Sequence, residues 1–248
     1  MTLEEFHNPQ LVALFETVNQ YDPGTQPDCY LAIAQSVSAG SVIDLGCGSG
    51  TVTQVFASSG LKIEAVDPSA PLIALARQRR GCERVRWIVG TASDIGTTDA
   101  DFAMMTGHVA QFFLDDDEWN AALAALRTAL RPGGLLVFES RNPEARGWHE
   151  WVPANTRTVH DPAVGAITHW SEWHDIDENH VVRYTNHYRI EATGEVLVAH
   201  AALRFRSATE LCDSLTAAGF VVRSVWGDYA GAPASASRPE LVVTAERR

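Results

Sequence analysis

The feature that most constrains this chain of 248 residues is a glycine-rich segment at residues 42–50, which reads Val-Ile-Asp-Leu-Gly-Cys-Gly-Ser-Gly. Its first four residues are typical of a buried strand, and an amphipathic helix is predicted directly after it, over residues 51–59. The closely spaced glycines allow the backbone to turn sharply and to approach a ligand where a Cβ would clash. A turn between the carboxyl end of a strand and the amino end of a helix is the usual ligand crevice of an open α/β sheet.

Short apolar runs alternate with helical patterns on both sides of this loop. Strands are predicted at residues 41–45, 61–67, 84–89, 101–105 and 135–139. The strongest of the helices between them covers residues 117–130, and a turn is predicted at residues 131–134. This order indicates a parallel sheet with helices on both faces. Ser207 is the predicted N-cap of a later helix, which is followed by strands at residues 220–226 and 240–245.

Two regions fall outside this alternation. Residues 3–37 carry two helical patterns, and residues 142–206 carry three predicted antiparallel strands in a stretch rich in histidine and tryptophan. We therefore divide the chain into three parts: an N-terminal helical cap (1–40), an α/β core (41–141 and 207–248) and an inserted antiparallel β subdomain (142–206).

Acidic residues follow the second and third predicted strands. Asp67 ends the second strand, where a carboxylate can accept hydrogen bonds from both hydroxyls of a ribose. Asp94 follows the third strand, where it can accept a hydrogen bond from the exocyclic amine of adenine. The carboxyl ends of neighbouring parallel strands lie at one edge of the sheet, so one extended nucleoside could contact both acids and the glycine loop.

These residues resemble the motifs of the class I S-adenosylmethionine-dependent methyltransferases. The resemblance rests on the loop at 44–50, on Asp67 and Asp94, on the turn at 130–134 and on the late helix and strands, and it covers about residues 37–139 and 203–247. It implies a doubly wound, mostly parallel, seven-stranded Rossmann-like sheet with an antiparallel last strand. The inserted antiparallel sheet and the N-terminal helices are additions to that α/β fold. The resemblance implies that the inserted sheet covers the active site or pairs subunits, and that the N-terminal helices close the other side.

The resemblance also implies S-adenosyl-L-methionine as the cofactor and S-adenosyl-L-homocysteine as its product. The residues expected to bind the cofactor are Asp44, Gly46, Cys47, Gly48, Gly50, Asp67, Pro68, Ala92, Ser93, Asp94, Ile95, Thr106 and Gly107.

A nicotinamide- or flavin-binding Rossmann domain is the main competing interpretation. Its fingerprint is Gly-x-Gly-x-x-Gly or Ala, whereas Thr51 stands at the last position here. Asp44 would also place a carboxylate beside a pyrophosphate, while a sulfonium cofactor has no phosphate to repel. Both points favour methyl transfer.

The methyl acceptor is expected beyond the fourth strand, at residues 105–111. This segment lacks the Asn/Asp-Pro-Pro-Tyr/Phe sequence of the amino-methylating DNA enzymes of this class, which counts against a nucleobase substrate. His108 is the candidate general base, because imidazole titrates near neutral pH, although it could instead cap the loop. The candidate substrate-binding residues, for each of which packing or a structural polar contact is the alternative role, are Tyr21, Tyr30, Gln111, Arg141 and Trp170.

The formal net charge of −12 disfavours non-specific binding to nucleic acid, which depends on Lys and Arg. The basic cluster of Arg77, Arg79 and Arg80 is interpreted as a solvated helix end. No apolar run approaches the roughly 20 residues of a membrane helix, and no secretory signal is recognised at the first residues. Neither a metal site nor a disulfide framework is expected.

Together these features predict a cytoplasmic enzyme, monomeric or homodimeric, with a small-molecule substrate that accepts the methyl group on oxygen or nitrogen. No nucleic-acid or membrane partner is expected. Two alternatives remain: a protein or RNA methyltransferase, and a regulatory module that binds the cofactor without turnover.

Overall fold

Two β-sheets organise the computed structural model, which describes residues 4–19 and 26–248. The strands are β1 (Ser41–Leu45), β2 (Lys62–Asp67), β3 (Arg86–Val89), β4 (Ala100–Met105), β5 (Leu130–Arg141), β6 (Arg157–Asp161), β7 (Gly165–Ile176), β8 (Val181–Ile190), β9 (Val196–Arg204), β10 (Phe220–Trp226) and β11 (Glu240–Arg247). The helices are α1 (Glu4–His7), α2 (Pro9–Val18), α3 (Gln26–Ser36), α4 (Thr51–Ser58), α5 (Ala70–Ala76), α6 (Asp116–Ala129) and α7 (Ala208–Ala217).

The larger sheet has the strand order β10-β11-β5-β4-β1-β2-β3. Its strands β1 to β5 run parallel, and β11 is antiparallel to both β5 and β10. The chain builds outward from β1 in one direction through β2 and β3, then returns to build through β4 and β5. The topological switch point, where open α/β sheets bind ligands, therefore lies between β1 and β4. The predicted fold class is confirmed.

The boundary between α6 and β5 differs from the prediction. Residues 131–134 were expected to form a turn before the fifth strand, whereas β5 already begins at Leu130. Ala100 of β4 pairs with Leu130 and Phe102 pairs with Leu135, so the register shifts between these two pairs. The shift accommodates the extra residues of β5, including Gly133 at φ 79°.

The smaller sheet contains β6, β7, β8 and β9 in sequential antiparallel order, which is one strand more than predicted. The additional strand β6 is largely exposed and mixes polar with apolar residues, so it lacks the apolar alternation that marks a strand. Leu11, Leu14 and Val18 of α2 pack against the sheet at Ile167 and Tyr188. The N-terminal helices are thereby joined to the inserted strands.

Helices cover both faces of the larger sheet, as a parallel sheet requires. On one face α6 buries Trp119, Leu123 and Leu126 against β4 and β5. On the other face Tyr30 of α3 and Phe56 of α4 pack against the central strands. Within residues 4–19 and 26–248, no helix combines the length and apolarity needed to span a membrane.

Candidate active site

The glycine loop between β1 and α4 adopts a conformation that only glycine accommodates easily. Gly46, Gly48 and Gly50 have φ angles of 76°, 55° and 78°. A Cβ on Gly46 would lie 2.4 Å from a methyl of Val109, and one on Gly50 would lie 2.5 Å from the Trp87 ring. A Cβ on Gly48 would have no protein atom within 4 Å. Two of the glycines therefore allow close packing, while the third leaves the floor of a cleft open.

Asp67, the last residue of β2, fastens this loop. Its Oδ2 accepts a hydrogen bond from the Gly48 N–H at 2.9 Å, and its Oδ1 accepts one from the Ser69 N–H at 2.8 Å. Burial raises the pKa of the Asp67 carboxyl, while both backbone donors oppose that rise. A carboxylate has about four acceptor positions, so the two that remain are available to a ligand hydroxyl.

A cleft of about 740 Å³ lies over the loop, within the size range of small-molecule sites. Most of the predicted cofactor residues line it, namely Gly46, Cys47, Gly48, Asp67, Pro68, Ala92, Ser93, Thr106 and Gly107. The other predicted cofactor residues, Asp44, Gly50, Asp94 and Ile95, are not part of the lining. Asp94 is exposed, and its Oδ2 accepts the Thr91 N–H at 2.8 Å in a capping box. Its contact with adenine stays a prediction.

Asp44 lies buried beneath the cleft and provides a test of which ligand fits. The Thr53 hydroxyl donates to its Oδ2 at 2.6 Å, whereas its Oδ1 has no hydrogen-bond partner within the described ranges. Burial raises the pKa of Asp44 to about 7. A positively charged ligand near this carboxylate would favour its ionised form, while a pyrophosphate would oppose it. The residues present therefore fit a sulfonium cofactor better than a dinucleotide.

The N-terminal helices supply part of the cleft wall, through residues that were not predicted as site residues. Phe6 and His7 of α1, and Phe15 and Glu16 of α2, all line the cleft. The Phe6 ring stands edge-on to Phe15, with centroids 4.9 Å apart. The amphipathic pattern of this region predicted helices that pack, but it carried no signal for which surface they cover.

His108 follows β4, next to the cleft residue Gly107, in a left-handed conformation with φ 62°. Its backbone N–H donates to Glu139 Oε1 at 2.7 Å. Its ring nitrogen Nε2 lies 2.9 and 3.1 Å from the two carboxylate oxygens of Glu240. The Tyr30 hydroxyl donates to Glu139 Oε2. Three elements that are distant in sequence thus meet around one histidine.

This cluster has the chemistry of an oriented base. A carboxylate that accepts the proton of Nε2 leaves Nδ1 as the ring nitrogen able to take up another proton. Glu139 is fully buried, and that burial raises the pKa of its carboxyl. Glu139 and Glu240 were not predicted as site residues. Glu139 is the last residue of the predicted fifth strand, but the position of Glu240 depends on β11 being antiparallel to β5.

The remaining predicted substrate residues have structural contacts. Arg141 Nη1 donates to Gln111 Oε1 at 3.0 Å, and its guanidinium lies 5.6 Å from the ring centroid of Trp151. Trp170 of β7 stacks on His187 of β8, with ring centroids 4.7 Å apart. Tyr21 lies outside the described residues. The proposed substrate roles of these residues stay predictions.

The described part of the chain contains no group of three or more His, Cys, Asp or Glu side chains placed to hold a metal ion.

Comparisons with known proteins agree with this geometry. Residues 42–134 match the family model described as a methyltransferase domain. Over 91% of both chains, the sequence is 24% identical to the cypemycin N-terminal methyltransferase of a Streptomyces species.

Solved structures share the fold. The CcbJ methyltransferase of Streptomyces caelestis matches with a TM-score of 0.75 and 20% identity over 94% of each chain. CalS10, an amino pentose methyltransferase from Micromonospora echinaspora with bound S-adenosylmethionine, matches with a TM-score of 0.68 and 23% identity, over 91% of this chain and 93% of that one.

The matched domain spans the glycine loop and Asp67, the same elements that form the floor of the cleft. The predicted cofactor, S-adenosyl-L-methionine, is confirmed together with the predicted enzyme class. The methyltransferase-domain match over residues 42–134, the relative that aligns along most of the chain and the shared fold together support the resemblance to the class I S-adenosylmethionine-dependent methyltransferases.

Proposed function

We propose that this enzyme transfers the methyl group of S-adenosylmethionine to a nitrogen or oxygen atom of a small metabolite in the cytoplasm. The observation that carries the proposal is the cluster of His108, Glu139 and Glu240, which adjoins the cleft at Thr106 and Gly107. A protonatable nucleophile placed there would meet a base held by a carboxylate.

When bound, the cofactor supplies a methyl group on a positively charged sulfur, already activated for displacement. What the chain must add is alignment of the acceptor, exclusion of water and removal of a proton. The glycine loop and Asp67 would hold the cofactor from below. Phe6 and Phe15 of the N-terminal helices would shield the cleft from water.

Proton removal is assigned to His108. Glu240 orients its ring and would stabilise the imidazolium that forms when Nδ1 accepts the proton of the acceptor. Glu139 holds the backbone of His108 and is itself held by Tyr30. In this proposal Glu139 and Glu240 act through His108, so they are positioning residues.

The relatives favour nitrogen over oxygen as the acceptor atom, because they include an N-terminal methyltransferase and an amino pentose methyltransferase. The inserted subdomain and the N-terminal helical cap would form the acceptor side of the pocket, with Tyr30, Gln111, Arg141 and Trp170 as candidate contacts. Their part in substrate selection belongs to the proposal, as does a monomeric or homodimeric state.

The proposal is tested by incubating the protein and S-adenosylmethionine with amino sugars, short peptides, amino acids and phenols. We expect S-adenosylhomocysteine to form together with a product that carries one added methyl group, measured by mass spectrometry. His108→Gln should lower kcat/KM by about 100-fold, within the range of general-base catalysis. His160→Gln is the matched control, since His160 is exposed on β6.

Binding of S-adenosylmethionine, measured by calorimetry, should be the same within twofold for both histidine variants. Turnover by His108→Gln at the wild-type rate would remove His108 from the mechanism. Tight cofactor binding with no methyl transfer to any acceptor would favour the alternative, a regulatory module without turnover.

A further inference from the structure

Arg79 does not have the role that its sequence context predicted. It follows the C-terminal end of α5 in a basic cluster interpreted as a solvated helix end. In the structure its side chain is 26% exposed and turns toward the glycine loop. The Nε donates to the Ser49 carbonyl at 2.5 Å, and Nη2 donates to the hydroxyls of Ser49 and Thr51 at 3.0 and 2.5 Å. The earlier interpretation of Arg79 is therefore wrong.

Few side chains hold the loop that Arg79 contacts. At this point the Gly50 N–H donates to the Cys47 carbonyl at 2.9 Å, and the hydroxyls of Ser49 and Thr51 lie 3.3 Å apart. Gly50 is the N-cap residue of α4 and has no side chain with which to cap the helix. Glycine retains more conformational freedom than any other residue, so a loop with Gly46, Gly48 and Gly50 loses much entropy when it is ordered. Ser49 and Thr51 flank Gly50, and the planar guanidinium of Arg79 donates hydrogen bonds to both of them.

The same guanidinium also contacts one of the helices that line the cleft. Arg79 Nη2 lies 3.7 Å from Glu16 Oε2 of α2, and the two side chains are 26% and 29% exposed. Glu16, Ser49 and Thr51 all line the cleft. Arg79 thus joins the floor of the cofactor site to one of the helices that cover it.

We propose that Arg79 is a positioning residue for S-adenosylmethionine. Its hydrogen bonds hold the glycine loop in the conformation that binds the cofactor, and its ion pair with Glu16 keeps α2 closed over the cleft. An ordered loop binds with a smaller entropic cost, and a closed cover slows dissociation. The inference concerns cofactor binding alone, so it does not depend on which acceptor is methylated.

The test compares the wild type with its variants. Calorimetry measures the Kd for S-adenosylmethionine, and stopped-flow displacement measures the rate at which the cofactor dissociates. Arg79→Met should raise the Kd for S-adenosylmethionine tenfold or more. Arg80→Met is the matched control, because Arg80 is the next residue and its side chain is exposed. It should bind within twofold of the wild type. Arg79→Lys keeps the charge but not the planar fork, and should recover only part of the lost affinity.

Glu16→Gln tests the closure separately, because it leaves every hydrogen bond from Arg79 to the glycine loop in place. We expect cofactor dissociation about threefold faster at an unchanged melting temperature. In the Arg79→Met background, Glu16→Gln should have no further effect on dissociation. Wild-type affinity in Arg79→Met, or additive effects in the double variant, would overturn the proposal.

The outcomes separate this inference from the proposed function. If the wild type binds the cofactor and Arg79→Met binds it weakly, the role of Arg79 is supported even when no acceptor is found. If Arg79→Met binds normally while His108→Gln is inactive, the proposed function survives and the role of Arg79 does not.

Discussion

At the ends of β1 and β2, the half of the site proposed to bind the cofactor (the cofactor half) is built largely from backbone groups and side chains of residues 44–69. At the ends of β4, β5 and β11, the half proposed to bind the acceptor (the acceptor half) is built from side chains as far apart in sequence as Tyr30 and Glu240. In the first half, Asp67 binds the N–H of Gly48 across one helix and one strand. In the second half, the bonds of His108 to Glu139 and Glu240 join residues 31 and 132 positions apart.

The difference reflects what each half must do. The cofactor half depends on glycines at positive φ and on an acid that accepts a backbone N–H of the loop, which require a particular local sequence. The acceptor half requires only that an acid, a base and a hydroxyl meet in space, and many arrangements of the chain can provide this. The first half is therefore encoded locally, while the second depends on strand order.

The largest effect is expected from a single methyl group added to the glycine loop of the cofactor half. Gly46→Ala would place a Cβ 2.4 Å from Val109 at a positive φ, so the loop must distort. We expect the Kd for S-adenosylmethionine, measured by calorimetry, to rise about 100-fold, or about 2.7 kcal/mol.

Two further variants isolate the cause of that loss. Gly60→Ala introduces similar backbone strain at φ 83° with no atom within 4 Å of the new Cβ, at the far end of α4. It should leave cofactor affinity unchanged. Adding Val109→Ala to Gly46→Ala should recover part of the affinity. Equal loss in Gly46→Ala and Gly60→Ala would show that the packing against Val109 is irrelevant.

A smaller effect is expected for the acid that joins the loop to β2. Asp67→Ala removes the acceptor of the Gly48 and Ser69 N–H groups and the predicted ribose contact. Affinity for S-adenosylmethionine should fall tenfold or more, about 1.4 kcal/mol. Asp94→Ala provides the comparison, because the Asp94 carboxylate is exposed and engaged with Thr91. A greater loss in Asp94→Ala than in Asp67→Ala would reverse our ranking of the two acids.

The smallest effect concerns a contact made only by tertiary structure, between α1 and the smaller sheet. Glu5 is 2% exposed and accepts hydrogen bonds from Asn186 and the Tyr188 hydroxyl. Burial raises the pKa of the Glu5 carboxyl above its usual value. The neutral form is thus favoured in the fold. The stability that this preference contributes is complete below the pKa that Glu5 has in the unfolded chain. It is lost as pH rises through the pKa that Glu5 has in the folded protein.

Glu5→Gln stays neutral at every pH and keeps an acceptor oxygen for both partners. We expect equal melting temperatures for the variant and the wild type in acid below pH 4.5. At pH 8 we expect the variant to melt about 2–4 °C higher, the shift that about 1 kcal/mol produces in a chain of this size. Glu195→Gln, at an exposed position, should show no such pH dependence. A variant that is less stable than the wild type at pH 8 would indicate that the fold stabilises the ionised carboxyl.

Much of the fold was predictable because its signals are local. The strands β1 to β4, the helix α6, the N-cap at Ser207 and the closing strands follow from apolar periodicity and turn residues within short windows. Strand β6 was missed because it is exposed, and the start of β5 because its pairing with β4 shifts register over residues 131–134. The existence of β6 and the first residue of β5 are decided by pairing with neighbouring strands more than by the local sequence.

The candidate site divides in the same way. The glycine loop and Asp67 were identified from their spacing, and they lie where they were expected. Arg79 was misassigned, since a basic residue after a helix has no local mark that distinguishes a solvated side chain from one bound to a loop. Phe6, Phe15 and Glu16 were missed as cleft residues because periodicity shows that a helix packs but not which surface it covers.

By itself, the sequence determined the α/β class, the glycine loop and the position of the cofactor crevice, because backbone conformation and strand periodicity depend on neighbouring residues. The tertiary structure alone decided that Glu240 lies beside His108, that Tyr30 lies beside Glu139, and that Phe6, Phe15 and Glu16 line the cleft. These contacts join residues that only the strand order, the antiparallel course of β11 and the burial of apolar helix faces bring together.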